Sequence, residues 1–522
     1  MISCSLEAIN NIPCLLLTLA TILTVTLLIR NKQQRSKPAA GLNLPPGPWQ
    51  LPIIGNIHQL IGHRQPHRRL RSLAHKYGPD VMSLQLGELS YIVISTPEAA
   101  QQVMKTHDLE FASRPSLLAP NVLFNGCKDI AFAPYGEYWR QMRKIGVLEL
   151  FSGKRVQSFR RVREEEVSNL VDSIALLAET GEAVDLTSMM SAVTSAVTSR
   201  AAFGKAPELS DAFMMVVDHI SDVIAGFKIS DLYPSFESLP VLTGYRARLD
   251  RMREASHSIL DRIIDEHKSR RRRAGLIEED MVDVLLNHQE NQDLGIPITD
   301  EVIKGVTLVS MLIFCFVLEL FLAGIDTSTT AFEWIMSEMI VNPTVLKRAQ
   351  EEVRQVFADG SVDEAGLRQL KYLDMVISEG LRLHPPVPLL LPRENAEKAT
   401  LDAYDIPINT KVIVNAWTIN RDSRYWTEPE KFYPERFMDG SVDYRGTHFQ
   451  FIPFGAGRRM CPGMSFSLAI VKLTLASLLF HFRWRVPTEM TREGLDMTEC
   501  FGAALRRKNA LRLIPVLFDD IA

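Results

Sequence analysis

Three observations in this 522-residue chain predict a mostly helical fold with small β-sheets, an α+β class. Residues 300–341 have the apolar pattern of one long helix, and residues 464–480 form a second apolar stretch of helical length. Residues 77–97 hold two segments of strand character separated by Gly87-Glu88, which is the pattern of a β-hairpin. At 46% hydrophobic residues, the chain can bury a sizeable core.

The charge and cysteine content disfavour several classes of protein. The 58 Lys and Arg residues are balanced by 62 Asp and Glu residues, and the net charge of −4 predicts no binding to nucleic acid. The six cysteines lack the paired spacing of disulfide frameworks and zinc sites. This distribution is typical of a reducing compartment such as the cytosol.

An uncharged apolar stretch, residues 12–29, is just long enough to cross a bilayer. Four basic residues follow it directly, which predicts that the rest of the chain faces the cytosol. A cleaved secretory signal would instead carry its basic residues before the apolar stretch. We therefore predict a membrane anchor over residues 1–29, a basic and proline-rich linker over residues 30–50, and one large domain over residues 51–522.

The most specific pattern is a loop directly before the apolar stretch at residues 464–480. Its patterned residues are Phe454, Gly457, Arg459, Cys461 and Gly463. Pro462 suits the first position of a helix, so we expect Cys461 at a helix N-terminus, where the dipole stabilises a thiolate. Glycines let the backbone approach a flat ligand, and Arg459 is placed to reach an anionic group on it. The alternative is a buried cysteine in a glycine loop.

A second pattern, residues 323–328, interrupts the long helical stretch. Gly324 costs about 1 kcal/mol relative to Ala in a helix, and the hydroxyl residues after Asp326 compete for backbone hydrogen bonds. Such departures inside an apolar helix indicate a site. An acid beside an alcohol is suited to a proton relay. The alternative is that the Thr327 hydroxyl simply bonds the preceding turn.

Two pairs of residues have helical spacing. Trp139 and Arg143 lie four residues apart on a predicted helix, so they share one face. Glu379 and Arg382 lie three apart, a spacing that is also common in exposed ion pairs of little energetic consequence. The basic run at residues 267–273 is typical of a solvated surface segment, because acidic residues follow it closely.

Together these motifs resemble those of the cytochrome P-450 superfamily and occur in the same order. The cysteine loop matches F-x-x-G-x-R-x-C-x-G, and residues 323–328 match the oxygen-activation motif A-G-x-D-T-S. The resemblance extends from the N-terminal apolar stretch to residues 501–508 and is nearest to the plant microsomal group that contains terpenoid hydroxylases. It implies the cytochrome P-450 fold with an N-terminal transmembrane helix, in which residues 51–522 form a haem-thiolate catalytic domain.

The resemblance also implies the cofactor and its contacts. The cofactor would be haem b, with Cys461 as axial thiolate and metal ligand. The other implied haem-binding residues are Arg459, Phe454, Trp139, Arg143 and Arg393. Arg393 ends a segment, residues 388–393, that resembles the strand over the haem in this family.

Further roles follow from the same resemblance. Asp326 and Thr327 would support proton delivery to bound dioxygen. The trio implied to hold the cysteine loop in place is Glu379, Arg382 and Arg436. The residues implied to line the substrate site are Phe124, Leu322, Ile325, Leu390 and Ala503. Each of these five is also compatible with plain core packing.

The implied reaction inserts one oxygen atom of dioxygen into an apolar plant small molecule, a terpenoid. The implied electron donor is NADPH–cytochrome P-450 reductase, and the implied location is the endoplasmic reticulum membrane, single-pass, with the catalytic domain facing the cytosol. Residues 455–457 are not a dinucleotide fingerprint, because the third glycine and the preceding strand are missing. One alternative is a haem-thiolate isomerase or dehydratase that needs no dioxygen, against which Asp326 and Thr327 argue.

The long helical stretch contains an anomaly. The spacing between Ile303-Lys304 and Ala323-Gly324 is about ten residues longer than in the resembling family, which adds roughly 15 Å of helix. We expect the excess, residues 307–316, to protrude as a turn or loop, or to extend the helix N-terminally. As a loop it would expose an apolar patch over residues 311–316. It also has the character of translated intron sequence, so an inactive membrane-anchored haem protein is a further alternative.

Overall fold

The computed structural model describes residues 41–204, 210–224, 228–274, 280–290, 305–487 and 494–518. The predicted membrane anchor, residues 1–29, lies outside them, as do residues 30–40 of the predicted linker. Helices predominate in the described chain and four small sheets accompany them, which confirms the predicted fold class.

The α-helices carry the core. In chain order, those of the described residues are α1 (Pro66–Tyr77), α2 (Pro97–Gln101), α3 (Leu118–Leu123), α4 (Glu137–Ile145), α5 (Gly153–Ser158), α6 (Arg160–Ala178), α7 (Leu186–Phe203), α8 (Ser210–Ile224), α9 (Ile229–Leu232), α10 (Leu239–Leu242), α11 (Tyr245–Ala274), α12 (Met281–Glu290), α13 (Gly305–Val341), α14 (Pro343–Val356), α15 (Lys371–Leu383), α16 (Ala416–Ile419) and α17 (Met464–His481). The helix predicted around Trp139 and Arg143 is α4, so that prediction is confirmed.

The strands are short. They are β1 (Val81–Leu86), β2 (Leu89–Ile94), β3 (Val184–Asp185), β4 (Arg393–Glu394), β5 (Ala399–Leu401), β6 (Tyr404–Ile406), β7 (Lys411–Val414), β8 (Phe482–Arg485), β9 (Glu499–Phe501), β10 (Leu505–Arg507) and β11 (Arg512–Leu517). The sheets of the described residues have the orders β1-β2-β7-β4, β3-β11-β8, β9-β10 and β5-β6. β1 and β2 pair antiparallel from Val81↔Ile94 to Leu86↔Leu89, which confirms the predicted hairpin.

The central element is α13, whose 37 residues span about 56 Å. It packs against α7, α8, α11, α12, α15 and α17, because a helix that is apolar on all sides must be covered on all sides. Within the described residues, two helical stretches are long and apolar enough to cross a membrane, Ile313–Val341 and Met464–His481. Their most apolar windows are 67% and 56% buried inside the protein, as core helices are.

The added segment, residues 307–316, continues α13 and does not form a loop. The helix is therefore extended towards its N-terminus, which was the second of the two expected arrangements. The buried side chains described in the segment are Ile313, Phe314, Cys315 and Phe316, so the apolar patch that a loop would expose is covered at these positions. The physical reason is packing: the Phe314 ring stacks on His257 of α11 with centroids 3.8 Å apart. The helix also keeps the segment's backbone groups hydrogen-bonded.

The proline-rich stretch is attached to the domain. The backbone N–H of Ser83 in β1 donates to the Pro46 carbonyl at 2.8 Å, and the Asp405 N–H donates to the Asn43 carbonyl at 2.7 Å. Pro45 and Pro48 are buried. The chain is thus held to the globular part from Asn43 onwards, while the predicted linker boundary at residue 50 stays a prediction.

Candidate active site

The Cys461 loop has a backbone that requires glycine. Gly455 and Gly457 both have φ near +67°, a conformation that L-residues with a β-carbon rarely adopt. A β-carbon on Gly457 would lie 2.1 Å from the Met104 carbonyl oxygen. The Cys461 N–H donates to the Phe454 carbonyl at 3.0 Å and closes the loop. The two glycines and this hydrogen bond therefore fix the backbone position of Cys461.

Helix α17 begins at Met464, so the predicted helix start at Pro462 is wrong by two residues. The Cys461 N–H is bound back to the loop, and Pro462-Gly463 forms a turn before the helix. Burial raises the pKa of the Cys461 thiol above its ordinary value, while the Gly463 and Met464 amides and Arg143 act to lower it. The N-terminal amides of the helix still approach the sulfur, as the sequence predicted.

Two positions beside fully buried residues remain accessible, Cys461 in the loop and Ala323 on α13. Cys461 is accessible, although Phe451, Ile452 and Ala456 of the same loop are fully buried. On α13, Ala323 is also accessible, while its neighbour Phe321 is fully buried. From these two accessible positions in an apolar core we infer a space for an apolar ligand, the Cys461 cleft, between the loop and α13.

Helix α13 is fixed against α17 near this cleft. The hydroxyls of Ser328 on α13 and Ser467 on α17 are 2.7 Å apart and share a hydrogen bond. A β-carbon on Gly324 would meet nothing within 4 Å, so the helix surface there is open. The glycine in the helix thus coincides with the open face of α13.

A cluster of arginines lies beside the Cys461 loop, and most of its hydrogen bonds go to the backbone. Arg459 donates to the carbonyls of Ala112 at 2.7 Å and Ile130 at 3.0 Å. Arg143 donates to the Met460 carbonyl. Arg393 differs, because it forms an ion pair with Asp108 at 2.9 Å.

Arg114 joins this cluster, although no sequence pattern predicted it. Its Nη1 donates to the carbonyls of Leu391 at 2.7 Å and Pro392 at 2.8 Å. Among the described residues, Arg114, Arg143 and Arg459 have no carboxylate at ion-pair distance. No periodic pattern in the sequence marks Arg114, which is isolated between Ser113 and Pro115.

The cluster concentrates buried positive charge. Burial, followed by repulsion from Arg393, lowers the pKa of Arg459 to about 9. Burial is also the main cause that lowers the pKa of Arg393, Arg143 and Arg114, the last of them strongly. Buried guanidinium groups that share few counterions favour an anionic ligand, and their planar donors match carboxylates. The propionates of haem fit this donor set.

Two acids adjoin the cluster that no sequence pattern predicted, the buried Asp129 and the partly buried Glu319. The Glu319 carboxylate accepts the Ile130 N–H at 2.9 Å, and the Asp129 carboxylate accepts the Phe132 N–H at 2.6 Å. Burial raises the pKa of Glu319 to about 8 and that of Asp129 to about 6. The raised pKa of Glu319 weakens the ability of this carboxyl to offset the arginine charge. An acidic residue inside an apolar helix was the available signal.

Trp139 packs against the arginine cluster. Its indole N–H donates to the Ile130 carbonyl at 2.9 Å, and the Arg459 guanidinium lies 4.1 Å from its ring centre. The cation that stacks on Trp139 is therefore Arg459. Arg143, on the same helix, reaches the carbonyl next to Cys461.

The two side chains on α13 that were predicted to deliver protons, Asp326 and Thr327, have different hydrogen-bond partners. The Thr327 hydroxyl donates to the Ala323 carbonyl at 2.6 Å, which is the bond named as the alternative interpretation. The Asp326 carboxylate accepts from Arg506 of β10 at 2.6 Å. The two side chains are adjacent in sequence, and a proton relay between them stays a prediction.

Glu379, Arg382 and Arg436 come together in the interior. Arg382 donates to both Glu379 carboxylate oxygens, at 2.7 and 2.9 Å, and Arg436 donates to the same carboxylate at 3.0 Å. The Glu379 and Arg382 side chains are fully buried, unlike the exposed pairs that share their spacing. Arg382 also donates to the Asn420 carbonyl, and the Asn420 side chain accepts the Ile452 N–H of the cysteine loop.

The five implied substrate residues differ in burial. Phe124 and Ile325 are buried, and Phe124 stacks on Phe132 at 6.4 Å. The partly accessible ones are Leu322, Leu390 and Ala503. The expected strand over residues 388–393 is limited to its last residue and the next, because β4 begins at Arg393. Pro388 and Pro392 lack the N–H groups that a strand ladder needs.

Comparison with known proteins agrees with this geometry. The family model of Cytochrome P450 matches residues 45–512. Cytochrome P450 71D445 of Euphorbia lathyris is 47% identical over 478 residues, which is 91% of each chain. Salviol synthase of Salvia pomifera is 46% identical over 511 residues, covering 97% of this chain and 98% of that protein.

Two further comparisons extend the match. Premnaspirodiene oxygenase of Hyoscyamus muticus is 44% identical over 490 residues, covering 93% of this chain and 94% of that protein. A solved zebrafish cytochrome P450 with progesterone has a TM-score of 0.72 at 25% identity, covering 86% of this chain and 99% of that chain. The fold of this chain therefore agrees with that of a solved animal cytochrome P450.

The matched residues include the cysteine loop, the arginine cluster and α13 from end to end. The family implies haem with a thiolate ligand from a cysteine, a monooxygenase reaction, and a redox partner, dioxygen and an organic substrate. With this much of its length matched by sequence and by structure, the chain belongs to the cytochrome P450 family.

Proposed function

We propose that this chain is a membrane-anchored monooxygenase that oxidises an apolar plant small molecule of the terpenoid class. The observation that carries the substrate class is similarity along nearly the whole chain to salviol synthase and premnaspirodiene oxygenase. The electrons would come from NADPH–cytochrome P-450 reductase. The apolar core around the Cys461 cleft is consistent with such a substrate.

The cofactor contacts follow from the side chains around the cleft. We assign the axial thiolate to Cys461, the accessible cysteine of the glycine-rich loop. The haem propionates would be bound by the arginine cluster, which consists of Arg114, Arg143, Arg393 and Arg459. Phe454 and Trp139 would supply further contacts to the haem. When bound, thiolate-held haem would supply dioxygen activation: with two electrons from the reductase and two protons, one oxygen atom would enter a C–H bond and the other would leave as water.

The remaining roles belong to α13 and to the buried trio. Asp326 and Thr327 would hold and pass the protons that dioxygen cleavage requires. Glu379, Arg382 and Arg436 would keep the cysteine loop in place through Asn420. The dioxygen-independent alternative is disfavoured because the similar plant proteins include a named oxygenase.

Replacing Thr327 with Ala should uncouple the enzyme without unfolding it. The hydroxyl only adds a bond to the Ala323 carbonyl, so its loss leaves no buried group unpaired. With reductase present, NADPH oxidation should continue while hydrogen peroxide rises several-fold and product falls. Thr243→Ala removes the same kind of bond, to the Leu239 carbonyl, and serves as the control. Unchanged coupling in Thr327→Ala would remove this hydroxyl from the proton path.

Deleting residues 1–29 should release much of the protein from membranes and preserve its haem spectrum. The deletion leaves residues 43–48, which are hydrogen-bonded to the domain. The measurement is the fraction of protein recovered in the supernatant after a carbonate wash, together with haem content. Loss of haem on truncation would contradict a separable anchor. Full retention in the pellet would show that the domain itself holds the membrane.

The proposed substrate class is tested with microsomes that contain this chain and a plant reductase. A panel of terpenoid hydrocarbons and alcohols is incubated with NADPH, and oxidised products are measured by mass spectrometry. Matched panels of phenolic and fatty-acid substrates provide the comparison. Products gained only from the terpenoid panel support the proposal. Products gained only from another panel overturn the substrate class and leave the monooxygenase assignment standing.

A further inference from the structure

The Asp326 carboxylate is held by Arg506, a residue to which the sequence patterns assign no role. The Arg506 Nη2 atom lies 2.6 Å from Asp326 Oδ2, across 180 residues of sequence. The Asp326 side chain is 20% exposed and that of Arg506 is 49% exposed. The carboxylate is thus mostly covered, while the guanidinium that pairs with it is half exposed.

The backbone that carries Arg506 is rigidly attached to α13. The buried Trp334 of α13 donates its indole N–H to the Leu505 carbonyl at 2.7 Å, and the Leu505 N–H donates to the Pro386 carbonyl at 2.8 Å. β10 also pairs with β9, with Leu505 opposite Phe501. Since Leu505 is fixed from both sides, the start of the Arg506 side chain is fixed as well.

The same hairpin borders the substrate region assigned above. The turn between β9 and β10 contains Ala503, one of the implied substrate-lining residues, and is partly accessible. A molecule bound at this turn would therefore contact the β9–β10 hairpin, whose Arg506 pairs with Asp326. The Thr327 hydroxyl is occupied by the Ala323 carbonyl, so the direction of the Asp326 carboxylate is not set by its neighbour.

We propose that Arg506 is a positioning residue for the acid on α13: it holds the Asp326 carboxylate in one orientation and links it to the β9–β10 hairpin. This inference rests on the proposed role of Asp326 and Thr327 in proton delivery. Arg506 itself touches neither dioxygen nor substrate. As a half-exposed ion pair, it contributes little to folding stability, so its variants should fold and load haem.

The test uses the full-length holoprotein with reductase, and the variants Arg506→Gln, Arg506→Lys, Asp326→Asn and the double variant Arg506→Gln/Asp326→Asn. Lys508→Gln is the matched control, since it removes a positive charge from the same end of the hairpin. Two quantities are measured without added substrate. The first is the C–O stretching band of the reduced carbon monoxide adduct, and the second is the H2O/D2O ratio of the rate of peroxide release under NADPH.

We expect Arg506→Gln to shift or split the C–O band and to change the isotope ratio several-fold, while Arg506→Lys and Lys508→Gln resemble the wild type. In the double variant, the loss of Arg506 should add nothing to the effect of Asp326→Asn, because Arg506 acts through that carboxylate. An unchanged Arg506→Gln, or an effect that persists in the Asp326→Asn background, overturns the inference alone. An Asp326→Asn variant with wild-type isotope ratio overturns the proposed proton role, and the inference with it.

Discussion

Replacing Cys461 with Ser is expected to abolish the thiolate-type band of the reduced carbon monoxide difference spectrum. A serine hydroxyl stays protonated at neutral pH and cannot replace an anionic sulfur ligand. The substitution changes one atom in a loop whose shape is fixed by glycines and by the Cys461 N–H bond to Phe454, so the fold should persist. The measurement is the difference spectrum of protein purified to equal concentration.

The other described cysteines supply the controls for this prediction. Burial raises the pKa of Cys127 to about 12 and raises that of Cys315 well above its ordinary value, so both remain thiols. Cys500 lies on β9, opposite Arg506 of β10, and is not part of the glycine-rich loop. Cys127→Ser and Cys500→Ser should each retain the band. A Cys461→Ser protein that kept the band, or a Cys500→Ser protein that lost it, would assign the ligand elsewhere.

Local patterns were enough to predict the elements that local interactions build. The hairpin at β1 and β2 and the helix α4 were predicted because alternation and helical spacing are visible within a dozen residues. The start of α17 was predicted two residues early, because the bond from the Cys461 N–H to Phe454 decides it. A proline suited to a helix start does not oblige the helix to begin there.

The motifs located the site, and long-range contacts complete it. Arg459 was recognised from its spacing to Cys461, but its hydrogen bonds to Ala112 and Ile130 join parts of the chain more than 300 residues apart. Arg114 and Arg506 take part only through such contacts. No single-sequence pattern encodes them, because their partners are backbone carbonyls or a distant acid.

The added segment is a second case in which the sequence alone does not determine the structure. Residues 307–316 were recognised as additional by their spacing, and their helical character was visible from composition. The sequence did not decide between a loop and a longer helix, since that choice depends on which neighbours are available to cover the side chains. His257 of α11 is one such neighbour, because its ring stacks on that of Phe314.

Replacing Glu379 with Ala is expected to cost about 3–5 kcal/mol of folding free energy, because it leaves a buried guanidinium without its carboxylate. Arg382 is fully buried and Arg436 is nearly so. A natural domain has about 5–15 kcal/mol of stability in total, so most of the protein should fail to accumulate as holoenzyme. The measurements are the yield of haem-loaded protein, and the midpoint of thermal unfolding of whatever is recovered.

A matched exposed pair separates burial from mere loss of charge. Lys347 and Glu351 lie 3.7 Å apart on α14, with side chains 78% and 66% exposed. Glu351→Ala should therefore change stability by less than about 1 kcal/mol. Wild-type yield and midpoint in Glu379→Ala would contradict the structural role of the trio.

The intermediate variant Glu379→Gln distinguishes charge from shape. It retains one acceptor oxygen for the three hydrogen bonds that Arg382 and Arg436 make to this carboxylate, but it removes the negative charge between the two guanidinium groups. Its stability should fall between those of the wild type and Glu379→Ala. Haem should be lost before the fold is, because Arg382 reaches the cysteine loop through Asn420 and Ile452. Loss of both at the same temperature would mean that the trio stabilises the whole domain and not the loop in particular.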